Sequence, residues 1–354
     1  MIRVYDNTKF YVYCPAGIVS GGAELLHQLV SLLRDNGKNA FIVYYGNKKH
    51  VIPDDYKNYN VIMTDVVTDS EYNIEILFEP QFYRACLNTK SQKVLWWLSV
   101  DNFYRCSDNY LSVLDIARYN LKSGMIVFAK RVYHFLFSHK NYFRHALSLK
   151  DLSKVNVVSA YQSEYAQNFL QNNGFNELVA LKDFINKEHC SSFAKENRED
   201  IILYNPKKGL SFTKKLIRMT PDLRWIPIEN MSRKDVILLM KKAKIYVDFG
   251  FHPGKDRLPR ECAMNGLCII TGKRGSAAFF EDVPIENKYK FDECISDKSM
   301  IVQTIRETLC NYETAVDDFN FYRFMISQEK AEFERQVNQL FVGVNKNKSD
   351  ACII

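Results

Sequence analysis

The sequence predicts an α/β protein of two similar halves, each a parallel sheet with crossover helices. Three observations carry this. Short β-branched and aromatic runs alternate with helical patterns along most of the chain. Glycine-containing loops stand repeatedly between a strand and the helix that follows it. At 354 residues the chain is long enough for two domains.

The first half opens with a strand at Phe10–Cys14, a loop over Pro15–Gly22 and a helix over Ala23–Asn36. Leu25, Leu26, Leu29, Val30, Leu32 and Leu33 recur at helical spacing, and Asn36-Gly37 is a stop signal. Ala40–Tyr45, Val61–Met63, Ile74–Phe78 and Val94–Ser99 read as further strands. A basic, aromatic stretch from Arg118 to Lys154 interrupts the alternation. Val155–Ala160 then reads as a strand, and Ser163–Asn173 as a helix capped by Ser163 and stopped at Gly174.

The second half follows the polar segment Lys187–Asp200. Strands are expected at Ile201–Tyr204, Trp225–Ile228, Ile245–Phe249 and Leu267–Thr271. Helices are expected at Leu210–Met219, Ser232–Ala243, Pro259–Asn265 and about Ser296–Asn311. A helical pattern rich in Glu, Lys and Gln runs from Phe319 to Phe341. Rossmann-like halves bind ligands outside the carboxyl ends of their strands, so a cleft between the two is the expected site.

Composition narrows the partners. With 47% hydrophobic and 25% charged residues the chain is of ordinary globular type. A net charge of +7 suits an anionic substrate or an anionic membrane surface. No Lys/Arg run dominates and no nucleic-acid motif occurs, so nucleic acid is not an expected partner. The nine cysteines show no CxxC or Cys/His zinc spacing and read as reduced cytosolic thiols. The N-terminal residues lack a signal-peptide pattern, and no apolar window is long enough to span a membrane. Cys352 is followed by two residues only, one short of a prenylation box. A cytoplasmic location is expected.

Four stretches carry chemistry. The richest is FGFHPGKDRLPRECAMNGLCIITGKRGS, residues 249–276. Lys255, Arg257 and Arg260 lie on a Gly-Pro loop before a helix expected to begin near Glu261. Gly272, Gly275 and Ser276 form a second amide-rich turn after the next strand. Glycine loops, a helix N-terminus and fixed cations make an anion cradle, and arginine forks match phosphate. Glu261 serves either the helix dipole or the vicinal hydroxyls of a ribose; His252 is a hydrogen-bond donor or an ordinary loop histidine. In ILYNPKKGLSF, Lys207 and Lys208 precede a helix and either reach a diphosphate or sit on a solvated turn. In IVSGGAELL, Gly21-Gly22 let a ligand approach backbone or simply make a tight turn. That pair is not GxGxxG, so a dinucleotide is a poor fit. In VLWWLSVDNFY, Asp101 is a general base toward a hydroxyl or caps the next segment. No Asp-x-Asp occurs, so no metal is expected and charge on a diphosphate falls to Lys, Arg and backbone N–H groups.

With these motifs the chain resembles a GT-B glycosyltransferase, close to the family 4 group that builds bacterial surface polysaccharides. PAGIVSGGAELLHQLVSLLRDNG is similar to that family's GG-x-E loop and helix, and YQSEYAQNFLQNNGF to the segment closing its first domain. YNPKKG resembles its phosphate-binding K-G turn, and LPRECAMNGLCIITGKRGSA its E-A-M-A-x-G-x-P-V-I donor segment. The resemblance runs from about residue 10 to 310, and the last helix fits the family's crossing C-terminal helix.

It implies a GT-B fold of two Rossmann-like domains facing a central cleft. Residues 1–182 would be the acceptor side, 183–318 the donor domain, and 319–354 the crossing helix and tail. The implied activity is a hexosyltransferase, moving a sugar from a nucleotide diphosphate sugar to a hydroxyl of a growing O-antigen, capsule or lipooligosaccharide. No cofactor is implied beyond that substrate. Glu261 would bind ribose. Lys207, Lys208, Arg257 and Arg260 would stabilise the departing diphosphate, with Lys255, Gly272, Gly275 and Ser276 beside it. Gly21-Gly22 and Asp101 would face the acceptor, and Asp101 and His252 are the catalytic candidates. Two departures leave retention or inversion open: Pro253 stands near where the first of two glutamates is expected, and Leu203 where an arginine is usual. Lys255, Arg257 or Arg260 would supply the missing charge. Residues 128–147 would rest on the bacterial inner membrane, where lipid-linked acceptors lie, or pack on the first domain. The rival readings are a nucleotide-sugar epimerase of the same fold and a non-catalytic nucleotide or sugar binder.

Overall fold

The computed structural model describes residues 2–138, 142, 146–189 and 193–342. The chain divides into two compact units. One holds the residues up to 162, then 166–182 and those from 333 onward; the other holds 163–165 and 183–332.

The first unit is a six-stranded sheet in the order β2-β1-β3-β4-β5-β6, parallel throughout. Its strands are β1 (Lys9–Pro15), β2 (Asn39–Tyr45), β3 (Ile74–Leu77), β4 (Gln92–Trp97), β5 (Val158–Tyr161) and β6 (Leu178–Ala180). Most of their residues are buried, as expected of parallel strands covered on both faces. The helices are α1 (Gly21–Asp35), α2 (Val100–Cys106), α3 (Val113–Tyr119), α4 (Leu121–Phe137), α5 (Leu149–Lys154) and α6 (Glu164–Asn172). Ser20 caps α1 by accepting from the Ala23 N–H at 3.3 Å, and Gly37 leaves it with φ +73°. Leu25, Leu26, Leu29, Val30 and Leu33 form its buried stripe. Trp96 and Trp97 fill the middle of the sheet without exposure, and Trp96 stacks on Phe333 at 6.3 Å.

The expected strand at Val61–Met63 is absent. Only Met63 bridges β2: Ile42 donates to Ile62 O and accepts from Thr64, one residue's worth of pairing. The polar residues Thr64, Asp65 and Thr68 to Ser70 then carry the chain away. β4 ends at Trp97 rather than Ser99 because Ser99 turns to cap α2, accepting from the Asn102 N–H at 3.1 Å.

The second unit is a five-stranded parallel sheet in the order β11-β10-β9-β7-β8. The strands are β7 (Ile201–Tyr204), β8 (Arg224–Pro227), β9 (Ile245–Asp248), β10 (Cys268–Gly272) and β11 (Lys290–Phe291). The helices are α7 (Leu210–Met219), α8 (Arg233–Lys242), α9 (Arg257–Met264), α10 (Lys298–Cys310), α11 (Tyr312–Ala315) and, up to residue 332, α12 (Asn320–Leu340), whose remainder belongs to the first unit. Ile202, Leu203, Ile245, Tyr246, Val247, Ile269 and Ile270 are wholly buried and make the core. In each sheet the strand order reverses once, between β1 and β3 and between β7 and β9. Ligands of doubly wound sheets bind at the carboxyl ends flanking such a reversal. Among the described residues, no helix is long and apolar enough to cross a membrane.

Candidate functional site

In the second unit, β7 runs into the loop Asn205–Gly209 before α7, and β9 into Phe249–Asp256 before α9. These are the two loops that flank the strand-order reversal. Their glycines are there because backbones meet. A Cβ on Gly209, which has φ +59°, would stand 2.3 Å from Phe249 O; one on Gly250 would stand 2.4 Å from Lys208 Cβ. The turn after β10 joins them. A Cβ on Gly275 would lie 2.0 Å from His252 O. The Ser276 N–H donates to His252 O at 2.8 Å, and its hydroxyl to Gly254 O at 2.6 Å. Three loops, each expected to touch phosphate, therefore form one locked surface. Gly272, Gly275 and Ser276 are brought together with Lys207 and Lys208.

A charged chain runs beneath that surface. The Lys208 ammonium bonds Asp256, whose Oδ2 lies 3.1 Å from His252 Nδ1. His252 Nε2 lies 3.3 Å from Thr271 Oγ1 and 3.7 Å from Asp248 Oδ1. Asp248 in turn accepts from the Tyr246 hydroxyl and the Gly250 N–H, both at 2.8 Å. Burial acts to lower the pKa of His252, but Asp248 and then Asp256 outweigh it and hold it above its ordinary value. Burial likewise acts to raise Asp256, and His252 with Lys208 brings it below the usual carboxylate range. His252, buried and 1% exposed, stands between two carboxylates that favour its protonated form, and it reaches Lys208 through Asp256. Asp248, His252 and Asp256 stand close enough to share a cation. The Lys208 ammonium already fills that role at Asp256.

A group whose pKa rises on folding stabilises the protein fully below its unfolded pKa, and that stability fades as pH climbs through the folded value. His252→Gln is therefore expected to be less stable than the parent at pH 6, with the gap narrowing toward pH 9. Thermal melts across that range check this; a gap independent of pH would show that His252 is not charged in the folded chain.

The remaining cations are placed differently from expectation. α9 begins at Arg257, not near Glu261, so Arg257 and Arg260 are helix residues. Arg260 has no exposure: it donates to Asp183 at 2.8 and 2.9 Å, to Glu329 at 2.7 Å, and to the carbonyls of Lys255 and Asp256. Lys255 pairs with Glu329 at 2.7 Å and Arg257 with Asp183 at 3.3 Å. Burial would raise the Asp183 carboxyl, but Arg260 and then Arg257 pull it below its ordinary value. These three cations are struts that hold the loop after β9, rather than groups presented to a ligand. Lys207 is exposed and makes no ion pair among the described residues. Glu261 sits a full turn into α9, with its side chain 17% exposed and 3.7 Å from His189 Nε2. Asn265 holds the other ring nitrogen of His189 at 3.2 Å.

In the first unit, Gly21 and Gly22 form the first turn of α1 and are exposed. A Cβ on Gly22 would meet only Leu98 at 3.8 Å, ordinary contact, so the fold itself does not require glycine there. Asp101, expected to face an acceptor, is wholly buried in α2 and accepts from the Tyr119 hydroxyl at 2.5 Å. It braces α2 against the end of α3, and Ser99 does the capping. The buried acid near the strand ends is Glu79, just past β3. It accepts from the N–H groups of Leu98 and Ser99 at 2.6 and 2.5 Å, and burial still pushes its carboxyl up to about 7. It staples the end of β3 to the turn after β4.

This arrangement of two parallel sheets recurs in solved structures. Sucrose-phosphate synthase from Thermosynechococcus elongatus aligns over 94% of this chain and 98% of its own, with TM-score 0.63 and 9% identity. The chain has the GT-B fold. Two further solved structures agree. Anabaena HepE in complex with UDP aligns over 94% of this chain and 99% of its own, with TM-score 0.59 and 10% identity. A glycosyltransferase from Rickettsia africae aligns over the same shares, with TM-score 0.56 and 13% identity. No protein-family model and no curated protein matches the sequence.

Proposed function

We propose that this GT-B chain is a glycosyltransferase that moves a sugar from a nucleoside diphosphate sugar to a hydroxyl of a growing bacterial surface glycan. The observation that carries the reading is the triple-loop surface of the second unit. Backbone amides of the Gly209, Gly250 and Gly275 loops and the N-terminus of α7 supply partial positive charge. Lys208, held by Asp256, and exposed Lys207 neutralise the departing diphosphate without a metal. Glu261, partly exposed beside His189, accepts from the ribose hydroxyls. The HepE structures in complex with UDP and with UDP-glucose support a donor of this class. In the first unit, the exposed N-terminus of α1 at Gly21-Gly22 meets the acceptor or the transferred sugar. The acceptor is a lipid-linked glycan at the inner face of the bacterial inner membrane.

The test is release of nucleoside diphosphate from a panel of nucleotide sugars, with and without glycan acceptors. Release that requires an acceptor, and falls at least tenfold in Lys208→Ala (the loss of about one charged hydrogen bond), supports transfer. Conversion of the donor sugar with no acceptor and no diphosphate release would replace transfer by epimerisation.

A further inference from the structure

We propose that His189 is a positioning residue, which aims the Glu261 carboxylate at the donor sugar-phosphate's ribose and so makes the site select ribose over 2′-deoxyribose. The inference rests on Glu261 as the acceptor of the ribose hydroxyls. Arg257 and Glu261 of α9 and the capping residue Asn265 stand at spacings of four, so they share one face. Residues from before and after His189 hold on to that face. Asp183 pairs with Arg257 at 3.3 Å, and Arg198 donates to Asn265 O at 2.5 Å. Between them, Asn186 sets the turn Lys187–His189. Its backbone carbonyl accepts from the His189 N–H and its side chain from the Glu188 N–H, both at 3.1 Å. The His189 ring, 2% exposed, lies against Glu261 and Asn265.

The hydrogen bonds fix where this ring carries its proton. The Asn265 amide nitrogen donates to Glu261 O at 2.8 Å; a carbonyl only accepts, so the orientation of the amide follows. The same nitrogen meets His189 Nδ1 at 3.2 Å. Nδ1 is therefore an acceptor, and the ring proton stands on Nε2. Nε2 faces Glu261 Oε1 at 3.7 Å. That is longer than a hydrogen bond, and contacts of this kind tighten when a ligand fixes the carboxylate. A glutamate has three side-chain torsions, and this side chain is 17% exposed. Fixing it beforehand removes an entropy cost that the ligand would otherwise meet. A neutral donor suits the task, because it orients the carboxylate without cancelling its charge. A vicinal diol offers two O–H groups to the two carboxylate oxygens. A 2′-deoxyribose offers one, which leaves an oriented oxygen without its partner.

The test is calorimetric binding of UDP, GDP, ADP and CDP, each against its 2′-deoxy counterpart, to the full chain and three variants. The parent is expected to prefer one ribonucleotide over its deoxy form by about tenfold or more, the worth of a hydrogen bond to a charged group. Glu261→Gln is expected to lose most of that preference. His189→Phe keeps a flat ring without the donor, and its preference is expected to fall to within about threefold of that of Glu261→Gln. Asn265→Ala keeps the ring but releases its proton, and is expected to lower the preference by about threefold or more. A ring that merely fills space would change stability, or the affinity for both forms alike, and leave their ratio untouched. The parental ratio kept in His189→Phe, and lost in Glu261→Gln, would overturn the role of His189 while the donor site stands. If His189→Phe does not melt cooperatively, the parental ratio kept in Asn265→Ala would overturn it equally. A parent that binds no nucleotide, or binds both forms alike, would remove the ribose reading itself and this inference with it.

Discussion

Arg260→Ala is expected to destabilise the second unit by about 3–5 kcal/mol, the range for removing one partner from a buried ion pair. The guanidinium has no exposure and bridges Asp183 to Glu329. Without it both carboxylates are left short of charge in a site closed to water, with only Arg257 and Lys255 nearby. Denaturant unfolding measures the loss. A double variant, Arg260→Met with Asp183→Asn, is expected to recover part of it, because the buried charge disappears with its partner. A single variant within about 0.5 kcal/mol of the parent would mean that Arg260 is free to serve a ligand, as its motif first suggests.

Gly209→Ala carries the second large effect. Gly37 and Gly209 share the left-handed conformation with different surroundings. Gly37 has φ +73° and no atom within 4 Å of where a methyl would stand, whereas Gly209 has φ +59° and Phe249 O at 2.3 Å. Gly37→Ala is therefore expected to cost only about 1 kcal/mol, the conformational penalty alone. Gly209→Ala adds a clash with backbone that has no side chain to yield. The loop carrying Lys207 and Lys208 must then move away from the loop after β9. Nucleotide binding is expected to fall roughly tenfold or more, since misplacing a site by about 1 Å costs on the order of a hundredfold in favourable cases. Equal effects of the two substitutions on binding would contradict the close-packed loop surface.

The strand-loop-helix rhythm was legible because parallel strands and amphipathic helices obey local rules. Ile201–Tyr204 and Leu210–Met219 have the bounds that the pattern predicts. The glycines of the three clustered loops were legible for a related reason: each marks a backbone that something approaches. What stayed hidden was the destination of the charges. Arg260 meets Asp183, 77 residues away, and Glu329, 69 residues away. Local reading sees three cations before a helix and assigns them to phosphate; the fold supplies two distant acids that claim them. Asp101 shows the same limit, since its partner Tyr119 lies on another helix. The spacing of Asp248, His252 and Asp256, every fourth residue, was a visible signal. It gains meaning only when Lys208 arrives from a different loop.

The central claim is that a nucleoside diphosphate sugar binds the triple-loop surface of the second unit. The most direct measurement is the thermal shift of the parent, Lys208→Ala and Glu261→Ala across a panel of nucleotide sugars. One sugar nucleotide at about a hundred times its Kd is expected to stabilise the parent by about 2.7 kcal/mol. At the same concentration the shift is expected to shrink in both variants, because Lys208 is proposed to meet the diphosphate and Glu261 the ribose. A full shift retained in both variants, or no shift with any nucleotide sugar, would contradict the account.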